Sequence, residues 1–310
     1  MRDLVAIAEY GSLRAAARHL GSAQPTLTRS LSELERELGA PLFERRSRGM
    51  VATPLGRAFV SRAAAILNDV RRAREEFEQL RGNAVGTVTI GLSIAAHFSL
   101  LPKTLRPFRR GFPKVHLSII EGFYPTLEHG LKNGSIDFYI GPDPGQRLPP
   151  SLTKELLLTG KRAVLCRANH PRIGATSLRE LVDAEWISTT ITPKAENELG
   201  DLFKRNGLPE PILALRSQSA LTLLTCLENT DLLVMAPGQW MESALTNRIL
   251  ATINVKEELV APPIIAITRS DVPLAPAASH FLDLFKRAAG NINAAKEATS
   301  APGAKVQVRA

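Results

Sequence analysis

The chain has 310 residues, a length that is typical of two or three domains. Hydrophobic residues make up 44% of it, enough to bury sizeable cores, which excludes a largely disordered protein. The formal net charge of +9 favours a polyanionic partner or an anionic ligand. Cys166 and Cys226 lie far apart in apolar runs, which excludes a metal-ligand spacing and favours buried thiols. No apolar stretch approaches the length of a membrane span and the N-terminus lacks an export signal, so we expect a cytoplasmic protein.

A helix-turn-helix is predicted near the N-terminus, behind a short helical segment over residues 1–10. Ser12 can cap a first helix, which Gly21 and Ser22 break. A second helix begins near Ala23, with proline in its first turn, where a missing N–H costs nothing. Its apolar face is a leucine stripe at spacings of four, three and four residues: Leu27, Leu31, Leu34 and Leu38. An ordinary pair of surface helices is the alternative interpretation.

The second helix and the segment after it carry the residue types that contact DNA. The face opposite the leucines begins with small hydrogen-bonding groups and one arginine, which read base edges and hold phosphates. A basic hairpin with strand-compatible residues beside Gly49 follows, and a hairpin of this kind is typical of a wing that grips phosphate. The residues that carry these two features are Gln24, Thr26, Thr28, Arg29 and Ser30 on the helix and Arg45, Arg46 and Arg48 in the wing.

A long helix is predicted from Pro54 or Gly56 to about Arg81. Its apolar positions alternate at spacings of four and three over three heptads, the pattern of a two-stranded seam. These predicted dimerisation residues are Phe59, Ala63, Ile66, Val70, Ala73, Phe77 and Leu80. A dimer would place two recognition helices on two half-sites. The alternative is a helix that packs on its own domain.

After Gly82 the pattern changes to alternating strands and helices, which predicts an α/β fold for the rest of the chain. Strand, helix, strand, helix and strand follow within about sixty residues, which implies right-handed crossovers and a parallel sheet. A second αβ set, roughly 163–263, is inserted before a strand at 264–268 and a helix at 275–289 complete the first. Two sheets joined by two crossings make a clamshell with a ligand cleft between them.

From Met1 to about Ala289 the chain resembles the LysR-type transcriptional regulators. The match is carried by GSLRAAARHLGSAQPTLTRSLSELERELGAPLFERR and TPLGR, then by TIGLS, LLP, FRRGFP, LSIIEG, LKNGSIDFYIG and the HP turn of ANHP. The helix-turn-helix block is highly specific to this family, and the later motifs are weaker singly but occur in the right order. The resemblance implies a dimer or tetramer in which a periplasmic-binding-protein-like domain senses a small co-inducer and alters DNA bending and contact with RNA polymerase. Family members usually carry several residues before the position of Met1, so either an earlier start or a shortened first helix is expected.

Together, the patterns and the resemblance predict an α/β protein with a winged helix-turn-helix, a linker helix and a two-subdomain effector domain. The predicted boundaries are 1–55 for the DNA-binding domain, 56–84 for the linker helix, 85–290 for the effector-binding domain and 291–310 for a disordered tail. Within the effector-binding domain, subdomain I takes 85–162 and 264–290, and subdomain II takes 163–263.

Site residues follow from positions in the family pattern. The recognition face then also includes Pro25, beside the helix and wing residues named above. Effector-binding residues are implied at strand ends and helix starts, where a hydroxyl and free amides can hold an anionic group. They are Ser93, Ile94, Ala95, Phe98, Gly122, Phe123 and Tyr124 on subdomain I, and Thr189, Thr190, Gln218, Ser219 and Pro237 on the facing subdomain. Each of them alone could instead be a helix cap.

The candidate pocket combines hydroxyls, backbone amides and aromatic rings, which suits a small carboxylate or sulfonate. EEFEQLRG, GLPEP and FYP resemble segments of regulators of aromatic sulfonate and carboxylate degradation, which implies an aromatic effector.

Two other classes of protein stay open, an enzyme and a transport-binding protein on the same clamshell. An enzyme needs a nucleophile–base pair or a metal cluster, and the six histidines are scattered, so we expect no catalysis and no cofactor. A transport protein would lack residues 1–86 and would carry an export signal.

Overall fold

The computed structural model of the chain describes residues 1–47, 49–188 and 193–300. The helices are α1 Arg2–Tyr10, α2 Leu13–Leu20, α3 Gln24–Leu38, α4 Pro54–Leu80, α5 Ile94–Ser99, α6 Leu101–Gly111, α7 Tyr124–Lys132, α8 Pro193–Arg205, α9 Ala220–Asn229 and α10 Pro276–Ser300. The strands are β1 Phe43–Arg46, β2 Gly49–Ala52, β3 Val85–Leu92, β4 Lys114–Glu121, β5 Phe138–Pro142, β6 Leu152–Leu158, β7 Arg162–Arg167, β8 Glu185–Ser188, β9 Ile212–Arg216, β10 Leu233–Pro237, β11 Leu250–Ile253 and β12 Ile264–Arg269. Short 3₁₀ helices lie at Leu178–Leu181 and Gly238–Glu242. Within these described ranges, no helix has both the length and the apolar character to cross a membrane.

The helix-turn-helix and wing predicted from the sequence are confirmed. Ser12 caps α2 by accepting a hydrogen bond from the Ala15 amide at 3.1 Å, and Gly21 ends that helix in the left-handed conformation that glycine adopts readily. Strands β1 and β2 pair in an antiparallel hairpin after α3. The helices and the hairpin share one apolar core, which includes Leu4, Ile7, Ala16, Leu27, Leu31, Leu42 and Phe43.

Helix α4 is continuous over 27 residues, and its predicted apolar seam is divided between two environments. The structure corrects the prediction at its N-terminal end, because Ala63 is buried in the core of the helix-turn-helix and Phe59 packs against that core. The other five residues are exposed and form what is called here the apolar stripe: Ile66, Val70, Ala73, Phe77 and Leu80. The alternative, a helix that packs on its own domain, is therefore correct for Phe59 and Ala63 only.

The two predicted sheets are confirmed, and each has five strands. Sheet I has the order β4-β3-β5-β12-β6, and sheet II has the order β11-β7-β10-β8-β9. Strands β4, β3 and β5 are parallel as predicted, whereas β12 returns from sheet II and pairs antiparallel with both β5 and β6. Subdomain I is sheet I with α5, α6, α7 and α10, and subdomain II is sheet II with α8 and α9.

Two elements differ from the sequence-based expectation inside the subdomains. The helix expected near 97–112 is divided into α5 and α6 at Leu100. Pro102, in the first turn of α6, lacks an N–H and crowds the carbonyl four residues earlier, which interrupts a continuous helix. Strand β11 was not predicted, and it pairs antiparallel with β7 at the edge of sheet II.

The C-terminal helix is longer than the sequence indicated. The prediction of disorder from residue 291 is wrong as far as 300, because α10 continues to Ser300. Contacts with subdomain I hold this extension, since Ile292 packs against its core and the Asn293 side chain donates a hydrogen bond to the Leu157 carbonyl at 3.0 Å. Residues 301–310 of the predicted tail lie outside the described residues.

Candidate DNA-binding surface and effector cleft

The predicted DNA-reading residues share the exposed start of α3. Gln24, Pro25, Thr26 and Arg29 are exposed, while Leu27 between them is buried in the core. Ala23 provides no side-chain cap, so the positive end of the helix is open to a phosphate oxygen. The hydroxyl of Thr28 donates to the Gln24 carbonyl at 3.0 Å, which leaves its oxygen free to accept a hydrogen bond. Ser30 is half-buried one position beyond this group.

Two of the predicted arginines are held by acids on their own elements. Arg29 forms an ion pair with Glu33 at 2.8 Å, and this contact lowers the pKa of the Glu33 carboxyl. Arg46 forms an ion pair with Glu44 at 2.9 Å in the wing. Both pairs are exposed, so they contribute little to stability and can exchange for a phosphate. Arg45, between Glu44 and Arg46, is exposed. Arg48 lies outside the described residues.

Several hydrogen bonds anchor the wing and its flanking residues to the rest of the domain. The Met50 amide donates to the Gly11 carbonyl at 2.7 Å, and a Cβ at Gly49 would meet that same oxygen at 2.3 Å, which requires glycine there. The Thr53 hydroxyl donates to the Pro41 carbonyl at 2.9 Å. On α3, one carboxylate oxygen of Glu35 accepts the amides of residues 42 and 43 at 2.7 and 3.1 Å. This role of Glu35 could not be predicted from the sequence, because no local pattern shows which distant amides a carboxylate accepts.

In the sensor, the structure places the residues after β3 at the beginning of α5. Ser93 is buried and caps α5, since its hydroxyl accepts the Ala96 amide at 3.3 Å. Ile94 and Ala95 are buried in the core beside it. The Ser93 amide donates to the Ile140 carbonyl at 2.9 Å, which fixes the end of β3 against β5. A hydroxyl and a helix N-terminus therefore lie at the C-terminal edge of sheet I.

Tyr124 is a correction to the predicted pocket. It is the first residue of α7, and its ring is buried in a separate apolar cluster with Leu127, Leu131 and Tyr139, so it does not line the cleft. This burial raises the pKa of Tyr124 to about 12. Gly122 and Phe123 precede it, and both are half-buried at the strand end as predicted.

The beginning of α9 contacts the end of β4 across the cleft. Ser219 caps α9 by accepting the Thr222 amide at 3.3 Å. The Ala220 amide in the same turn donates to the carboxylate of Glu121 at 3.3 Å, and Glu121 ends β4 in the opposite subdomain. Gln218 is exposed beside this contact. Thr189 and Thr190 lie outside the described residues.

At the other side of the cleft the subdomains are packed together. Phe98 contacts Trp240 edge to face, with ring centroids 5.6 Å apart, and Trp240 follows Pro237 at the end of β10. The Lys103 ammonium lies 3.7 Å from a carboxylate oxygen of Glu242. Phe98 is therefore part of the inter-subdomain contact, and Trp240 is its missed partner. Only the packing of residues far apart in sequence could identify this pair.

A third missed residue is Tyr139, which lies below the beginning of α5. A Cβ at Gly141 would meet the Tyr139 hydroxyl at 2.0 Å and the Ser93 Cβ at 2.9 Å, so the three groups are neighbours. The hydroxyl is buried, and among the described residues it has no hydrogen-bond partner of good geometry. Burial also raises its pKa.

Helix α4 contacts subdomain I through polar residues on the face away from the apolar stripe. This docking stripe consists of Asn68, Arg72, Glu75 and Gln79, at spacings of four, three and four residues. Three of these residues bind backbone groups as follows: Asn68 donates to the Asn133 carbonyl at 2.9 Å, Glu75 accepts the Thr87 amide at 3.1 Å, and Gln79 accepts the Ala277 amide at 2.9 Å.

The fourth residue of the docking stripe, Arg72, forms a buried ion pair. The Arg72 guanidinium lies 3.0 Å from a carboxylate oxygen of Asp137, and the two side chains are 6% and 5% exposed. The other Asp137 oxygen accepts the Thr89 amide at 2.8 Å. Burial raises the pKa of Asp137 and lowers that of Arg72, and the attraction between the two charges opposes both shifts.

Known proteins with similar sequences and structures support one family. The protein-family model described as "Bacterial regulatory helix-turn-helix protein, lysR family" matches residues 1–57. A second family model, "LysR substrate binding domain", matches residues 81–290. The transcriptional regulator TdcA of Escherichia coli K12 is 25% identical over 276 residues, which are 89% of this chain and 88% of TdcA. GbpR of Azospirillum brasilense is 28% identical over 236 residues, which are 75% of this chain and 69% of GbpR.

A solved structure has the same fold. Full-length CbnR complexed with its target DNA has a TM-score of 0.65 and 23% identity, over 93% of this chain and 98% of that chain. The two family models occur in the order of the helix-turn-helix and the two-sheet sensor, and together they leave out residues 58–80, which are most of α4, and residues 291–310. The chain belongs to the LysR family of DNA-binding transcriptional regulators, with an N-terminal helix-turn-helix and a C-terminal effector-binding domain.

Proposed function

We propose that two copies of the chain pair through the apolar stripe of α4 and bind an operator with α3 and the wing. The observation that carries this proposal is the pairing of an exposed recognition face with an exposed basic hairpin on one small domain. The structure of CbnR in complex with its target DNA supports DNA binding by this fold. Residues 1–55 then read DNA, 56–84 pair the copies, and 85–290 sense the effector.

The proposed effector is a small carboxylate or sulfonate held between α5 and α9. Two helix N-termini with capping hydroxyls at Ser93 and Ser219 support an anion, since free amides and the helix dipole favour negative charge. Phe98 at the packed side of the cleft supports an aromatic ring.

Further assembly is proposed from exposed apolar side chains at the two edges of the sensor. They lie on β4 and α6 at one edge and on β9 and α9 at the other: Leu105, Ile120, Ile212 and Leu221. Contacts between these edges would join two dimers into a tetramer. We propose that this assembly acts in the cytoplasm, where it contacts promoter DNA and RNA polymerase.

A binding assay tests DNA recognition. The full chain is titrated onto the DNA upstream of its own gene and onto a duplex of scrambled sequence, at several salt concentrations. Specific binding that persists at moderate salt, where non-specific binding is lost, is the expected result. Equal affinity for both duplexes at every salt concentration would contradict the proposal.

Replacement of Arg46 by alanine is expected to weaken binding to all DNA sequences. Because Arg46 would neutralise one phosphate, the slope of log K against log salt should fall by about 0.9 for each bound wing. The matched control is Arg106→Ala, which removes an exposed arginine from α6 in the sensor. An unchanged slope for Arg46→Ala would place this side chain away from the DNA backbone.

Replacement of Ser93 by alanine is expected to abolish the response to the effector and preserve DNA binding. A thermal-shift screen with benzoate, benzenesulfonate and succinate first identifies an acid that raises the melting temperature. The variant should lose that shift, and the lost cap of α5 should lower its stability by about 1 kcal/mol. Ser177→Ala, which removes the cap of a 3₁₀ helix in subdomain II, should keep the shift. A retained shift in Ser93→Ala would exclude the hydroxyl from the binding site.

A further inference from the structure

We propose that Glu35 is a positioning residue that sets the direction of the wing relative to the recognition helix. This inference rests on the proposed phosphate contacts of the wing arginines. It adds a residue that does not touch DNA itself and acts through Arg45 and Arg46.

Glu35 joins α3 to the first residues of the hairpin. Its Oε1 atom accepts the Leu42 amide at 2.7 Å and the Phe43 amide at 3.1 Å. Between these positions the chain turns at Gly39, whose φ of 69° is left-handed, and the Ala40 amide donates to the Glu35 carbonyl at 3.2 Å. The backbone and the side chain of one residue therefore hold both ends of the connection from helix to hairpin.

The hairpin depends on such anchors because it has little stability of its own. Its strands have four residues each, and an isolated two-stranded hairpin is marginally stable in water. Phe43 is the first residue of β1 and is buried, and the DNA-facing residues follow it directly along the strand. A change in direction at Phe43 therefore moves both Arg45 and Arg46 away from a phosphate.

Among the hydrogen bonds between described residues, those of Glu35 connect the wing to the recognition helix. The other hydrogen bonds lead from the wing to Gly11, before α2, and to Arg57 on α4, and the Thr53 hydroxyl holds the loop at Pro41. Without Glu35, the hairpin stays attached to the domain through these bonds and the shared apolar core, but it loses the hydrogen bonds that set its angle to α3. The expected loss is therefore one of phosphate contacts, with α3 and the core intact.

The location of this carboxylate indicates that its hydrogen bonds matter. Glu35 lies near the C-terminus of α3, where the helix dipole disfavours negative charge, and in a domain that binds a polyanion. Charge-assisted hydrogen bonds to two amides offset both penalties. A carboxylate without such a role would only repel DNA, and its removal would strengthen binding. The two roles therefore predict effects of opposite sign.

The test compares three variants of the full chain on a DNA duplex of mixed sequence, with the slope of log K against log salt as readout. Glu35→Ala removes the charge and the acceptor, and Glu35→Gln removes the same charge but keeps an acceptor oxygen. Glu37→Ala is the matched control, since Glu37 is exposed on the same helix end. We expect the slope to fall by up to about 1.8 per wing in Glu35→Ala, because two arginines would each lose a phosphate. Glu35→Gln should restore part of this loss, and Glu37→Ala should bind slightly more tightly with the slope of the parent.

Each outcome has a defined meaning. Destabilisation alone lowers the melting temperature and the active fraction, but it does not change the slope of the folded molecules. A parental slope with tighter binding in Glu35→Ala would overturn the proposal, as would identical slopes for the alanine and glutamine variants. If Arg46→Ala also keeps the parental slope, the wing contacts themselves fail. If Arg46→Ala lowers the slope and Glu35→Ala does not, only the positioning role of Glu35 fails.

Discussion

Replacement of Arg72 by methionine is expected to lower the free energy of unfolding by about 3–5 kcal/mol. The change leaves the Asp137 carboxylate buried without its cation, and an unpaired buried charge is among the costliest defects in a protein interior. Urea denaturation followed by circular dichroism measures the loss. The linker helix should also separate from subdomain I, because Arg72 is the most buried residue of the docking stripe.

The pH dependence gives this prediction a second readout. Burial already raises the pKa of Asp137, and removal of Arg72 raises it further, so the folded variant binds a proton more tightly than the unfolded chain does. A raised folded pKa means that stability is retained at low pH and lost as the pH rises through that pKa. The deficit of Arg72→Met should therefore be largest near neutral pH and shrink as the pH approaches about 4, the ordinary pKa of aspartate.

Two variants serve as controls for Arg72→Met. Arg74→Met removes an exposed arginine from the same helix and should change the stability by less than about 0.5 kcal/mol. The double variant Arg72→Met with Asp137→Leu replaces the pair by apolar side chains and should recover most of the loss. A deficit in Arg72→Met no larger than that of Arg74→Met would mean that the ion pair does not hold α4 in solution.

The location of the ion pair links it to the effector cleft. Asp137 immediately precedes β5, and its side chain accepts an amide of β3. The same two strands end at the cleft, where the Ser93 amide donates to the Ile140 carbonyl. Helix α4, which carries the DNA-binding domain, is therefore fastened to the strands that lead to the candidate effector site.

Replacement of Val70 and Phe77 together by aspartate is expected to convert the protein to a monomer and to reduce operator affinity by about 10²–10⁴-fold. Both side chains lie in the exposed apolar stripe, and Phe77 is 59% exposed in the single chain. Aspartates in a two-stranded seam repel each other, and the apolar contact of the replaced side chains is lost. A dimer binds its second half-site at a high effective concentration, and this advantage disappears in the monomer.

Sedimentation velocity and fluorescence anisotropy on the operator measure the two effects separately. Arg74→Asp is the control, because it adds an acid to the same helix outside the stripe, and it should stay dimeric. A double variant that remains a dimer would exclude the apolar stripe as the interface. A monomer that binds the operator with parental affinity would show that pairing is not needed for recognition.

Much of this fold follows from local patterns. Capping at Ser12, the left-handed glycine at Gly21 and the proline in the first turn of α3 define the helix-turn-helix within a few residues of chain. Alternation of apolar residues likewise identified nearly all strands of both sheets. Such signals suffice because backbone hydrogen bonds and side-chain periodicity act between close neighbours in sequence.

The sequence by itself determined the helix-turn-helix, the wing, the long helix and the two-sheet sensor. Tertiary structure alone decided that Ala63 lies in a core, that the Tyr124 ring lies on the buried face of α7, and that α10 continues past residue 291. It also selected the polar docking stripe of α4 and the amides that Glu35 accepts. The physical reason is the same in each case: burial and long-range hydrogen bonds depend on which surfaces meet, and residues far apart in sequence supply those surfaces.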